Sequence, residues 1–265
     1  MQYTQLFRGN TLVAPYPTNV FQELFKLQNS SAEPETTEIT IADPTRLGLP
    51  ELDGVTSTSA INITGEAVNF SPAAAAILMF GSVERVPSGT VVAEEQDAYV
   101  DRTIALAHMP LVITSVKAAD ADVGDPAYVR NVDYAVTPGG IKVLLGGQLA
   151  DDINAEAAPV GGGLKRLALK IAYTYPTVDV IKPFITGRKF YRIMFEQVNE
   201  AGDGEKRRIR CFYARISLNG GLPLNQAAEF GVIPVSIRLL ADPSIVDTAE
   251  AAIWQFEVQN TDEAA

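Results

Sequence analysis

The sequence predicts a mostly β protein with one or two short flanking helices, and three observations carry that reading. The segment 164–175 alternates: Leu167, Leu169, Ile171, Tyr173 and Tyr175 fall on one face, Arg166, Ala168, Lys170, Ala172 and Thr174 on the other. A period of two marks a strand with one buried face. Four more such ribbons follow, at 189–198, 207–218, 232–240 and 252–259. The helix signals, in contrast, are few and short.

From the N-terminus, Thr18-Asn19 are placed to cap a short helix through Val20, Phe21, Leu24, Phe25 and Leu27. Residues 28–37 are polar and contain Pro34, which predicts a loop. Glu38-Ile39-Thr40-Ile41 is a short strand, ended by the turn pair Asp43-Pro44. Residues 45–59, rich in Gly, Pro, Thr and Ser, read as an extended loop or arm. A strand pair follows at 60–64 and 66–70, interrupted at Gly65. Ser71 then supplies a capping hydroxyl and Pro72 the first helical position. The helix 73–80 is apolar nearly all round, Gly81 stops it, and so short a helix must pack on a sheet.

Strands are predicted at 90–92 and 100–106, separated by the acidic patch Glu94-Glu95-Gln96-Asp97, and at 111–116, buried on both faces. Residues 128–136 and 141–144 flank Pro138-Gly139-Gly140, a hairpin signal. Residues 150–163 end in three glycines and read as a long mobile connection. Residues 199–205 join two ribbons as a long hairpin. A second short helix is expected at 222–230.

The 265 residues are 47% hydrophobic and 20% charged, a globular composition. The longest apolar run, 73–81, is far below the roughly 18–20 residues of a spanning helix, so no membrane span is expected. MQYTQLFRGN lacks a basic region followed by an apolar core, so no export signal is expected. One cysteine excludes an internal disulfide and fits a cytosolic origin, which leaves the Asn29 and Asn62 glycosylation matches as coincidence. The formal charge of −11 is uneven: 6 basic and 16 acidic residues in 1–125, against 15 and 16 in 126–265. Such a surface repels nucleic acid, though it permits a protein that surrounds DNA without gripping it.

Catalytic signals are weak. Asp120, Asp122 and Asp125 resemble the opening of a calcium loop, but Gly124 is one place early and Asn131 stands where a bidentate Glu is needed. A solvated acidic turn is expected. Gly161-Gly162-Gly163-Leu164-Lys165 lacks the Ser/Thr and the helix of a phosphate loop. His108 has no second His or Cys beside it, and Cys211 reads as a small buried hydrophobe. The single Trp254 shares a core face with Phe256 and Val258, which leaves no aromatic platform for a sugar. No catalytic residue, metal site or cofactor is expected. The one basic run, Lys206-Arg207-Arg208-Ile209-Arg210, puts Arg208 and Arg210 on one face of a strand and Arg207 on the other.

The order of elements resembles a known family. Its pieces are Gly65-Glu66-Ala67-Val68-Asn69-Phe70-Ser71-Pro72, the apolar helix ending Leu78-Met79-Phe80-Gly81, and Tyr128-Val129-Arg130-Asn131-Val132-Asp133-Tyr134-Ala135-Val136 with its Pro-Gly-Gly turn. Ala172-Tyr173-Thr174-Tyr175, residues 190–195, 210–218 and 230–240 with Ala241-Asp242 complete the set. Over about residues 60–258 this pattern is similar to the major tail tube proteins of long-tailed bacteriophages.

The resemblance implies a tail-tube-type β-sandwich or partial barrel with short flanking helices, long loops and an N-terminal arm. It implies one domain over 1–265: arm and loops at 1–59, a β-rich core at 60–258 and a flexible tail at 259–265. It further implies a virion protein made in the host bacterial cytoplasm, a homo-oligomer of hexameric rings stacked into a tube. Its partners would be the tape measure protein and other tail proteins. Double-stranded DNA would pass through an acidic lumen without specific binding. The alternatives are a tail terminator or distal tail protein, or a β-sandwich module that binds carbohydrate or protein. The charge asymmetry adds one expectation: Arg207, Arg208 and Arg210 meet the acidic half of a neighbouring subunit.

Overall fold

The computed structural model describes residues 6–42, 45, 51–69, 71–122, 124–201, 204–224, 231–247 and 249–259. The fold is mostly β with two short helices. In chain order the elements begin with β1 (Phe7–Pro15), β2 (Gln22–Glu23), β3 (Leu27–Ala42), β4 (Glu51–Ala67), α1 (Pro72–Leu78) and β5 (Ser82–Val86). Next come β6 (Gly89–Ala98), β7 (Thr103–Ala105), β8 (Val112–Ala118), β9 (Tyr134–Thr137), β10 (Gly140–Val143) and α2 (Gln148–Ala155). The last are β11 (Leu167–Tyr175), β12 (Val178–Lys182), β13 (Tyr191–Asn199), β14 (Lys206–Leu218), β15 (Ile233–Leu240) and β16 (Trp254–Val258).

These elements form two compact units, where the sequence reading draws one domain through 1–265. The first unit comprises residues 1–84 and 181–265, and the second, 85–180, is inserted within it. The chain passes between them within the paired strands β5 and β12.

The first unit is a sheet in the order β2-β1-β13-β14-β15-β4-β3, with β16 beside β14. β13 takes one edge of β14, so β16 at 207–211 and β15 at 213–218 lie end to end along the other. Between the Ile193–Cys211 and Tyr191–Ala214 pairs, Phe212 and Tyr213 of β14 stand opposite the single Arg192 of β13, which is a β-bulge. The bulge flips the phase of burial: Ile209 and Cys211 face the core before it, Ala214 and Ile216 after it.

The core face carries Val13, Ile61, Ile63, Ile193, Phe195, Ile216 and the four alternate residues Ile233, Val235, Ile237 and Leu239 of β15. α1 begins as the sequence predicts, with Ser71 Oγ accepting from Ala74 N at 3.1 Å and Pro72 opening the helix. The left-handed residue at its end is Phe80, not Gly81. Gly81 is required for another reason: a Cβ there would lie 2.4 Å from the Lys182 carbonyl oxygen.

The second unit pairs a sheet β6-β11-β8 with a sheet β7-β10-β9 and helix α2. The alternation predicted for 164–175 holds: Leu167, Leu169, Ile171 and Tyr173 are buried, Ala168 and Lys170 exposed. The Pro138-Gly139 hairpin is present, with Gly140 opposite Thr137. Leu149 and Ile153 of α2 complete a core with Val116, Tyr134, Ile141 and Val143.

Several expectations are corrected. Residues 18–27 form no helix but an irregular stretch around β2. The predicted loop 28–37 and most of the predicted arm 45–59 are the long strands β3 and β4, and Gly65 does not interrupt β4. Pro34 is tolerated because β3 is an edge strand, where a missing amide donor costs no ladder bond. β8 is buried only at Val116 rather than on both faces. The acidic patch 94–97 lies inside β6, where Asp97 holds Arg166 at 2.7 Å and Glu95 reaches Lys170 at 3.9 Å. Residues 128–133 are an irregular stretch, a lone bridge at Arg130 and a turn at 131–133 rather than a strand, and the connection 150–163 begins as α2. The Asp43-Pro44 turn, most of the helix expected at 222–230 and the tail beyond Gln259 lie outside the described residues.

Candidate functional site

Opposite the core, the C-terminal half of β14 together with β15, β4 and β3 presents a polar face of unusually regular rows. One row reads Ser217, Ser236, Thr64, Ser31, and the next Arg215, Arg238, Asn62, Glu33. Ser31 and Thr64 hydroxyls lie 3.3 Å apart. Glu35 anchors the second row by accepting from Arg238 Nη2 at 2.6 Å and from Asn62 Nδ2 at 3.0 Å. Neither apolar core of the described residues includes this face. Its charge is mixed, with Arg215 and Arg238 against Glu33, Glu35 and Glu66.

β3 and β4 outrun the sheet. β15 pairs β4 only from Ile61 to Ala67, whereas β3 and β4 continue to pair out to Ala42 and Glu51. Beyond Ala60, among the described residues, each strand has only the other as partner, so 36–42 and 51–58 project as a two-stranded ribbon. Ile39 faces Val55 and Ile41 faces Asp53, which places Ile39, Ile41, Val55 and Asp53 on one face. The four apolar side chains Ile39, Ile41, Leu52 and Val55 are 61–66% exposed. The described arm from Glu33 outward carries Glu33, Glu35, Glu38, Glu51 and Asp53 and no lysine or arginine.

The arginine run lies on β14, divided between faces as the sequence predicts. Arg207 Nε and Nη2 donate to Gln197 Oε1 at 2.8 and 2.6 Å, and the guanidinium stacks over the Phe7 ring at 3.8 Å. Burial holds its pKa below the ordinary value, against the opposing pull of Glu205. Arg208 Nε donates to Glu257 at 2.7 Å, and Arg210 also pairs with Glu257. Those contacts, Arg208 first, hold the Glu257 carboxyl below its usual range. All three arginines therefore have partners within the chain. A cleft of about 580 Å³ opens here, lined among others by Gly9, Gln197, Lys206, Arg207 and Val258. It adjoins a smaller apolar one of about 170 Å³ with Ile63, Ile209, Trp254 and Phe256.

On the far side of β13 and β14, Asp242 is 2% exposed. It accepts from Ser244 N at 2.9 Å, Ser244 Oγ at 2.7 Å and Tyr16 OH at 3.0 Å, with Arg192 3.6 Å away. Burial alone would raise its pKa; the hydrogen bonds and Arg192 outweigh it and lower it. Tyr16 packs edge-on against Tyr213, which stacks on Phe190 at 4.2 Å. This cluster fastens the 16–19 and 242–244 segments to the sheet.

The remaining candidates are not brought together. His108 stacks on Tyr175 at 4.0 Å, and its amide donates to Tyr173 OH, which donates to Glu94 at 2.6 Å. Burial, then Glu94, pushes Tyr173 up to about 12. Cys211 is buried in the first unit's core, which pushes its thiol up to about 12. Asp125 Oδ2 accepts from Asp122 N at 2.8 Å, closing its own turn. Gly161 to Gly163 sit in an irregular exposed segment. Sequence reasoning places the Glu38–Ile41 strand of the projecting ribbon but misses its β4 partner, whose Thr- and Ser-rich residues read as loop. The β-branched run Val55-Thr56, opposite Glu38-Ile39-Thr40-Ile41, is the signal that marks it as strand.

Residues 5–252 match the model of a family described as "Protein of unknown function UCP028589". The chain belongs to this family. The UCP028589 match takes in both units and the arginine run, and ends just before β16, so Glu257, Phe256 and Val258 lie beyond it. No curated protein matches the chain.

Proposed function

We propose that this chain is a non-catalytic structural subunit that assembles with copies of itself, and that the assembly is a phage tail tube. The observation that carries the reading is the ribbon of β3 and β4. An isolated two-stranded ribbon is marginal in water, and this one also exposes an apolar row to solvent. A partner surface that covers the row stabilises both. A contact between two different surfaces of identical chains closes into rings or propagates into stacks.

The polar Ser/Thr and Arg/Glu face of β14, β15, β4 and β3 is the candidate lumen wall. Its small side chains and mixed charge offer DNA no gripping site, although the wall is less acidic than the composition implies. The tail-tube reading adds hexameric rings, passage of double-stranded DNA, and contact with a tape measure protein and other tail proteins. It rests on the resemblance of element order together with this architecture.

The test is size-exclusion chromatography with light scattering and negative-stain imaging of the purified chain. Rings or tubes are expected. A monomer at all concentrations that binds glycans on an array would replace this reading with a carbohydrate-binding module.

A further inference from the structure

We infer that the projecting ribbon of one copy docks into the cleft at the end of β13, β14 and β16 of another. The inference rests on the self-assembly reading and names the two surfaces that meet.

Both surfaces have one apolar row beside charge, with opposite signs. On the ribbon, Ile39, Val55 and Ile41 share a face with Asp53, and every charged side chain of the described arm is acidic. In the cleft, the core face runs on past the core. The row Phe195, Ile209, Phe256 is followed by Gln197, Arg207, Val258, and the exposed Lys206 lies at the rim. Phe256 and Val258 are exposed where this apolar surface reaches solvent.

Charge selects this pairing. Arg207 is bound to a neutral Gln197, and among the described residues neither its guanidinium nor the exposed Lys206 ammonium is in contact with a carboxylate. The cleft is lined by three cations, Lys206, Arg207 and Arg208, against Glu196 and Glu257. The lining carries one more cation than carboxylate, opposite in sign to Glu38, Glu51 and Asp53 of the described ribbon. Apolar contact supplies the adhesion, and the charges set register and orientation. Arm and cleft are different surfaces, so the contact repeats from copy to copy without self-limiting pairing.

Two single-cysteine additions test the pairing: Val55→Cys in the arm and Val258→Cys in the cleft, mixed as separate proteins and oxidised. Cys211 is buried and does not compete. A covalent Val55→Cys/Val258→Cys dimer is expected, with none from Val55→Cys mixed with Val246→Cys, an exposed site elsewhere. Asp53→Lys is expected to lower the yield by about fivefold or more, and Arg207→Glu in the partner to restore it. Rings or tubes that form without the cross-link overturn the arm-to-cleft contact and leave the subunit reading standing. A chain that stays monomeric overturns both. A cross-link that closes within one doubly substituted chain at high dilution also overturns the contact between copies.

Discussion

Asp242 keeps its charge at 2% exposure because three donors and a nearby guanidinium surround it, and its folded pKa lies below the ordinary value of 3.8. A lowered folded pKa stabilises the native state fully above the unfolded value, and that contribution is lost as pH falls below it. Asp242→Asn is expected to cost about 1–3 kcal/mol at neutral pH and to flatten the acid limb of stability. Urea midpoints at pH 7 and at pH 3 measure both; an unchanged acid limb contradicts the assignment. Legibility at this scale was uneven. Alternation alone placed Arg207 opposite Arg208 and Arg210, because strand geometry is local. That Gln197 and Glu257 hold them could not be read, since those contacts depend on which strands become neighbours.

The ribbon of β3 and β4 is the element on which the functional reading turns. Replacing 37–57 with Asn-Gly leaves the Thr36 to Thr58 pair intact and, among the described residues, removes only exposed side chains. Thermal unfolding is expected to stay within about 2 °C of the parent, while assembly by light scattering is lost. A truncated chain that still forms rings removes the ribbon from the contact. Elements with a buried face were legible: β11, β13, β15 and the Pro138-Gly139 hairpin follow from period two and turn chemistry. Of β3, only Glu38–Ile41 was legible, from its Ile-Thr-Ile alternation; the rest of β3 and the outer part of β4 were not, because a polar strand exposed on both faces has no hydrophobic period to detect. Nor was the bulge in β14, which inserts one residue and inverts the alternation for everything after it.

Each of the two units carries its own apolar cluster, which leads to a prediction about the whole molecule. Residues 85–180 expressed alone are expected to fold, with a cooperative melting transition and dispersed amide resonances; an aggregated or unstructured fragment refutes this. The insertion was invisible in the sequence because no linker marks it: β5 and β12 enter and leave as ordinary strands. It also sets a timetable. β1 and β4 take their sheet neighbours from β13 and β15, so the first 84 residues leave the ribosome before the strands that will cover them exist. At translation speeds of 5–20 residues per second, the intervening segment imposes a wait of about 5–20 s. During that wait the apolar rows of β1 and β4 stand open, while residues 85–180 can already have closed upon themselves. The hazard of wrong pairing is therefore greatest early in synthesis, and a holding chaperone would meet this protein at its first 84 residues.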